Sequence, residues 1–148
     1  MPEKTTVKRA RADKRAGKAP TTQAGEFVRE EMHHVREGKH GARSTKQAIA
    51  IGLSKARRSG VKLPAPKNAS ARTKRSAQSA TRAAKRHARP SPRRSRATSG
   101  ALKHEGHTAA SRKALSRQAK TAARRRPASA RRSAAKRAAR TRRHRASA

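Results

Sequence analysis

Three kinds of residue in this 148-residue chain could do chemistry: histidines, clustered carboxylates, and runs of lysine and arginine. His33, His34 and His40 lie close in sequence, and His104 and His107 flank an acid in His104-Glu105-Gly106-His107. A metal site needs a convergent set of ligands at suitable spacing. The second pair has one residue too few between its histidines for the zinc-protease pattern His-Glu-x-x-His, and the chain has no cysteine. The histidines therefore read as polar or phosphate-facing residues, with no metal and no cofactor. Glu26, Glu30, Glu31 and Glu37 raise paired-carboxylate catalysis, but such groups need a water-excluding pocket to tune them. They read instead as the polar face of a helix, or as a resting place for the chain's own cations. With no phosphate-binding glycine loop and no nucleophile elbow, no residue is assigned a catalytic role and the chain is not read as an enzyme.

The cations carry the strongest signal. After residue 70 they recur as Lys74-Arg75, Lys85-Arg86, Arg93-Arg94, Arg124-Arg125-Arg126, Arg131-Arg132, Lys136-Arg137 and Arg142-Arg143, separated largely by Ala and Ser. Small spacers let a backbone approach phosphates closely. Each phosphate neutralised on duplex DNA releases condensed counterion, so affinity falls with salt at a log–log slope of about −0.9 per contact. Such contacts carry no sequence information. Phe27 is the only aromatic residue, which argues against base-stacking platforms and RNA-recognition sheets. Double-stranded DNA is therefore the favoured partner, with RNA as the alternative polyanion. Lys39, Arg43 and Lys46 adjoin an expected helix N-terminus and read either as the cations of a solvated loop or as a phosphate clamp. Arg57 and Arg58 close the same helix. Ser91-Pro92-Arg93-Arg94 resembles the Ser-Pro-basic-basic repeats of linker-histone tails, which implies a Pro-centred turn placing two cations in a narrow minor groove. The plain reading is a proline in a basic linker.

The elements that must position these residues are set by an uneven charge. Forty-three cations and seven acids leave +36. Residues 1–37 hold nine cations against six acids, whereas residues 65–148 hold twenty-seven against Glu105 alone. Large aliphatic residues cluster between Val28 and Leu63 and nearly vanish afterwards. A chain with so little apolar area to bury does not offset its ordering entropy. The expectation is a mostly disordered protein with a small all-α helical hairpin, in three parts. Residues 1–20 form a basic flexible arm. Residues 21–64 form a helix–turn–helix hairpin. Residues 65–148 form an Ala/Arg/Lys-rich low-complexity tail with helical propensity, coil when free and partly helical when bound.

Within the hairpin, Thr21 or Thr22 is expected to cap a helix from about Gln23 to Glu37, with Glu26 in its first turn. Ala24, Val28, Met32 and Val35 make its apolar stripe, Phe27 lies at the edge, and Gly38 stops it. Ser44-Thr45-Lys46-Gln47 fits a capping box for a second helix, whose stripe is Ile49, Gly52, Leu53 and Ala56. Gly60 ends that helix and Pro64 and Pro66 prevent its continuation. The expected core is Phe27, Val28, Met32, Val35, Ile49, Leu53 and Ala56. It is too small to stand alone, so a second copy, a partner or DNA is expected to complete it. In the tail, Pro90, Pro92, Gly100, Gly106 and Pro127 punctuate three helix-prone stretches, at 71–88, 111–126 and 129–143.

The segment Gly25-Glu26-Phe27-Val28-Arg29-Glu30-Glu31-Met32, followed by Ser44-Thr45-Lys46-Gln47-Ala48-Ile49-Ala50-Ile51-Gly52-Leu53-Ser54-Lys55-Ala56-Arg57, resembles a family of small, basic, functionally uncharacterised bacterial proteins with a KQAIAIGLSxAR-like core. Members tend to carry DNA-binding or plasmid-stabilisation labels. The stretch 114–120 looks similar, and the tail resembles bacterial linker-histone-like proteins in composition. The resulting expectation is a nucleoid-associated, histone-like, cytoplasmic protein that binds and compacts DNA without sequence preference. The alternatives are a ribosome- or RNA-associated protein, and a protein-interaction module that its tail holds on DNA. No apolar stretch is long enough to suggest a membrane span.

Overall fold

A computed structural model describes residues 1–66, 68–86 and 91–146. Among these the chain forms seven α-helices and one 3₁₀ turn: α1 (Lys4–Arg15), α2 (Pro20–Arg36), α3 (Thr45–Arg58), α4 (Ala71–Lys85), α5 (Pro92–Lys103), the 3₁₀ turn (Thr108–Ala110), α6 (Arg112–Arg124) and α7 (Ala128–Ala146). No strand occurs among the described residues, and no helix there is long and apolar enough to cross a membrane. The chain divides into two compact units, Met1–Ser111 and a second that begins at Arg112.

The expectation of a mostly disordered chain is therefore corrected. The tail's helical propensity prevails in the free chain: alanine is the strongest helix former and Arg and Lys follow closely, whereas a like-charge pair four residues apart costs only about 0.2–0.5 kcal/mol. The punctuation residues also act differently than expected. Pro92 occupies the first turn of α5 rather than breaking a helix, where its missing N–H costs nothing. Gly100 lies inside that helix. Ser91-Pro92-Arg93-Arg94 thus opens a helix rather than forming an isolated turn. Pro90 lies outside the described residues.

The flexible arm is likewise corrected. Residues 4–15 form α1, which packs on α2 and buries Thr6 and Ala10. Gly17, at φ 67°, lets the chain reverse, and Lys18 N–H reaches back to the Asp13 carbonyl at 2.9 Å. The Gln23 side chain donates to the Lys18 carbonyl at 2.8 Å, stitching the turn onto α2. Pro20 starts α2 at its first turn, with Ala19 at the cap position and no side-chain cap bond. Neither threonine caps this helix, and Glu26 lies beyond its first turn.

The hairpin of α2 and α3 is the centre of the first unit, and its missing cover comes from the chain itself. Phe27, Ala24 and Ala56 pack with Ala10 of α1 and with Val61, flanked by Val7, Leu53 and Leu63. The 3₁₀ turn covers the other end with buried Ala109 and Ala110, and contacts both α2 and α3. Ala77 and Ala80 are the buried face of α4, which packs on α3. Of the expected core, Phe27, Met32, Val35 and Ala56 are buried, whereas Val28, Ile49 and Leu53 are half-buried. At Gly52 the helices touch backbone to backbone: a Cβ there would lie 2.7 Å from Val28 Cα and 3.0 Å from the Phe27 carbonyl oxygen. The second unit consists of α6 and α7, and neither buries a described side chain.

Candidate nucleic-acid interface and an internal carboxylate–histidine cluster

The helices of residues 71–143 carry their cations outward. Every described Lys and Arg in that range is exposed. That includes Lys74, Arg75, Lys85, Arg86, Arg93, Arg94, Arg124, Arg125, Arg126, Arg131, Arg132, Lys136, Arg137, Arg142 and Arg143. Arg132, Lys136 and Arg140 follow at i, i+4 spacing along one side of α7. None of α4, α5, α6 and α7 contains an Asp or Glu.

The cations of the hairpin are placed differently. Arg58 is exposed, but Arg57 is buried, donating from Nε to the Leu63 carbonyl at 2.9 Å and from Nη2 to the Pro64 carbonyl at 3.4 Å. Burial alone lowers its pKa. Arg57 is thus a clamp on the chain leaving α3 and is not presented to a phosphate. Arg43 and Lys46 are exposed beside the α3 N-terminus, yet that terminus is largely closed by its own residues. Ser44 Oγ accepts from Gln47 N–H at 3.2 Å, and Gln47 Oε1 accepts from Arg43 N–H at 2.8 Å. Thr45 Oγ1 donates to the Ala109 carbonyl at 2.6 Å. Lys39 lies 3.1 Å from Glu37 and 3.3 Å from Glu3, and these bonds, Glu37 first, raise its pKa.

The structure also brings together residues that the sequence kept apart. Glu31 is fully buried on α2, on a stripe with Ala24, Phe27 and Val35. Lys55 Nζ of α3 lies 2.7 Å from its Oε2 and 3.4 Å from Glu30 Oε1. His40 Nε2 lies 3.2 Å from Glu31 Oε1. Neither Glu31 oxygen receives a well-directed hydrogen bond, close as Lys55 and His40 are. Gly38, at φ 75°, turns the chain so that His40 returns beside the last turn of α2, with its ring edge-on to that of His34 at 6.0 Å between centroids. His34 Nε2 lies 2.9 Å from Glu3 Oε1, and Glu3 N–H donates to Glu30 Oε2 at 3.1 Å. Hydrogen bonds from His34 first and Lys39 second hold the Glu3 carboxyl below its ordinary range. One atom each of Glu31, His34 and His40 falls within 4.8 Å of the other two.

Sequence reasoning grouped His34 with His33 and set Glu31 aside with the other acids. The structure places His33 on the exposed side of α2. The signal that separates them is Glu31-x-x-His34, which puts two ligand types on one helical face, followed by His40 just past a glycine stop. Of the HEGH group, His104 and His107 are exposed and do not join the cluster.

Among the described residues, the fold and its charged surface define a small, basic, helical protein with a buried polar cluster. Residues 11–67 match a family model described as a family of unknown function (DUF6496). The match runs from within α1 to just past α3 and includes the segment that carries the sequence resemblance; neither a DNA-binding nor a histone-like label comes with it. No curated protein and no solved structure matches the chain.

Proposed function

We propose that this chain is a non-enzymatic protein that binds duplex DNA through its phosphates, largely without sequence preference, and compacts it. The observation that carries this reading is the outward placement of every described cation between residues 71 and 143, with Glu105 the sole acid among them. Repulsion between like charges on these helices is relieved when a polyanion neutralises them. The helices present this charge in ordered form, so binding does not have to fold the tail. Two arms reach into one role. The first unit, with its folded hairpin, carries the exposed cations of α4 and α5. The second carries fifteen cations and no acid from residue 112 onward.

Two rival readings make different demands. A protein-interaction module would present an apolar docking face, but Met1 is the only exposed large apolar side chain among the described residues. An RNA-associated protein would share the phosphate chemistry, so only the recovered polymer separates it from the DNA reading. Crosslinking the full-length protein in cells is expected to recover genomic DNA broadly, without a strong consensus. Preferential recovery of ribosomal RNA would overturn the DNA reading in favour of that alternative.

A further inference from the structure

We infer that Glu31, His34 and His40 form a binding site for one divalent transition-metal ion of the zinc class, which pins the α2–α3 loop to α2. Three observations carry this. The three side chains offer one carboxylate oxygen and two imidazole nitrogens within 4.8 Å of one another. Glu31 is 0% exposed and its oxygens lack directed hydrogen bonds. The geometry around His40 suits a ligand: Nδ1 lies 3.0 Å from the Gly41 carbonyl, which can only accept, so in the neutral ring Nδ1 carries the proton and Nε2 holds the lone pair.

That lone pair faces Glu31 Oε1 at 3.2 Å. Ligands about 2.0–2.2 Å from a tetrahedral zinc ion stand roughly 3.3–3.5 Å from each other, so the spacing suits a shared cation. The bond from Nδ1 to a backbone carbonyl is the outer-shell partner that ligating histidines ordinarily have. The loop carrying it is itself fixed. Gly41 N–H donates to the Leu102 carbonyl at 2.8 Å and Ala42 N–H to that of Gly106 at 2.9 Å. A side chain at Gly41 would overlap the Glu105 carbonyl. Lys55 stays on the other oxygen of Glu31 and holds the carboxylate in place. The Glu3 carboxylate, 2.9 Å from His34 Nε2, can only accept, so in the neutral ring Nε2–H donates to it and Nδ1 is the His34 nitrogen left for an ion. The mixture of imidazole and carboxylate donors selects zinc-like ions over calcium or magnesium.

The test uses the full chain, stripped with a chelator and titrated with Co²⁺, then with Zn²⁺ as competitor. Visible absorption reports the cobalt environment and circular dichroism reports the fold. The expected result is one equivalent of tetrahedral Co²⁺ displaced by Zn²⁺. His40→Ala and Glu31→Gln should each weaken it by at least about 100-fold, and His33→Ala should leave it unchanged. His40 is on a loop and is the variant to rely on where Glu31→Gln does not fold. A saturable signal that survives in folded His40→Ala, or one lost in His104→Ala but not in His40→Ala, would overturn the assignment, as would no saturable binding at all.

Discussion

At Gly52 the two hairpin helices approach until backbone meets backbone, so the residue's worth lies in the atom it lacks. Gly52→Ala would gain helix propensity, about 1 kcal/mol, but a Cβ 2.7 Å from Val28 Cα forces α2 and α3 apart. Overpacking of this kind costs roughly 1–3 kcal/mol, and the obstacle is backbone rather than a flexible side chain. The expected outcome is a net loss of stability in guanidinium unfolding. By contrast, Gly100→Ala meets nothing within 4 Å and should gain about 0.5–1 kcal/mol in α5. Lys55 tests the buried charges. Its ammonium is the nearest cation to fully buried Glu31, and removing one partner of a buried pair costs about 3–5 kcal/mol. Lys55→Met should approach that loss. Adding Glu31→Gln should recover most of it, giving a coupling well above 1 kcal/mol in a double-mutant cycle.

At the scale of elements, α1 is where sequence and structure part most clearly. Its residues are mostly polar and basic, and only Val7 and Ala10 meet the apolar cluster around Phe27. So small an apolar contribution leaves little periodicity to read, and the segment looks like an arm. Ala10→Arg is expected to cost about 2–3 kcal/mol by overpacking the α1–α2 contact and burying a charge. Exposed Arg11→Ala should stay within about 0.5 kcal/mol. Were residues 1–20 a free arm, thermal unfolding would not distinguish the two. The α3 helix was more legible: Ser44, Gln47 and Gly60 act at its ends as their types suggest. The stripe of α2 was displaced because a carboxylate was excluded from the buried face. In the fold Glu31 takes that place, compensated by Lys55 and His40, which arrive from α3 and from the loop after Gly38. Lys55 arrives from the next helix and leaves no local pattern with Glu31. The tail helices were visible in propensity, but α5 was hidden by treating Pro92 as a breaker when it stands at a helix start.

At the scale of the whole molecule, the charge has two fates. Glu30 and Glu31 are buried and Glu3 and Glu37 pair at the surface of the first unit, so four of the seven acids engage Lys39, Lys55 and two histidines within its fold. The cations of α4 to α7 are left outward with almost no acid to balance them. A surface of that kind supplies affinity for a polyanion and little discrimination among sequences. The central claim is best tested by the affinity of the full chain for random-sequence duplex DNA between about 50 and 400 mM salt, beside a variant with Arg124, Arg125, Arg126, Arg131 and Arg132 changed to Gln. Phosphate binding is expected to give a log–log slope steeper than about −6, and the variant's slope should be shallower by up to about 4.5, at roughly 0.9 per lost contact. A nearly flat dependence on salt, or an unchanged slope in the variant, would contradict it.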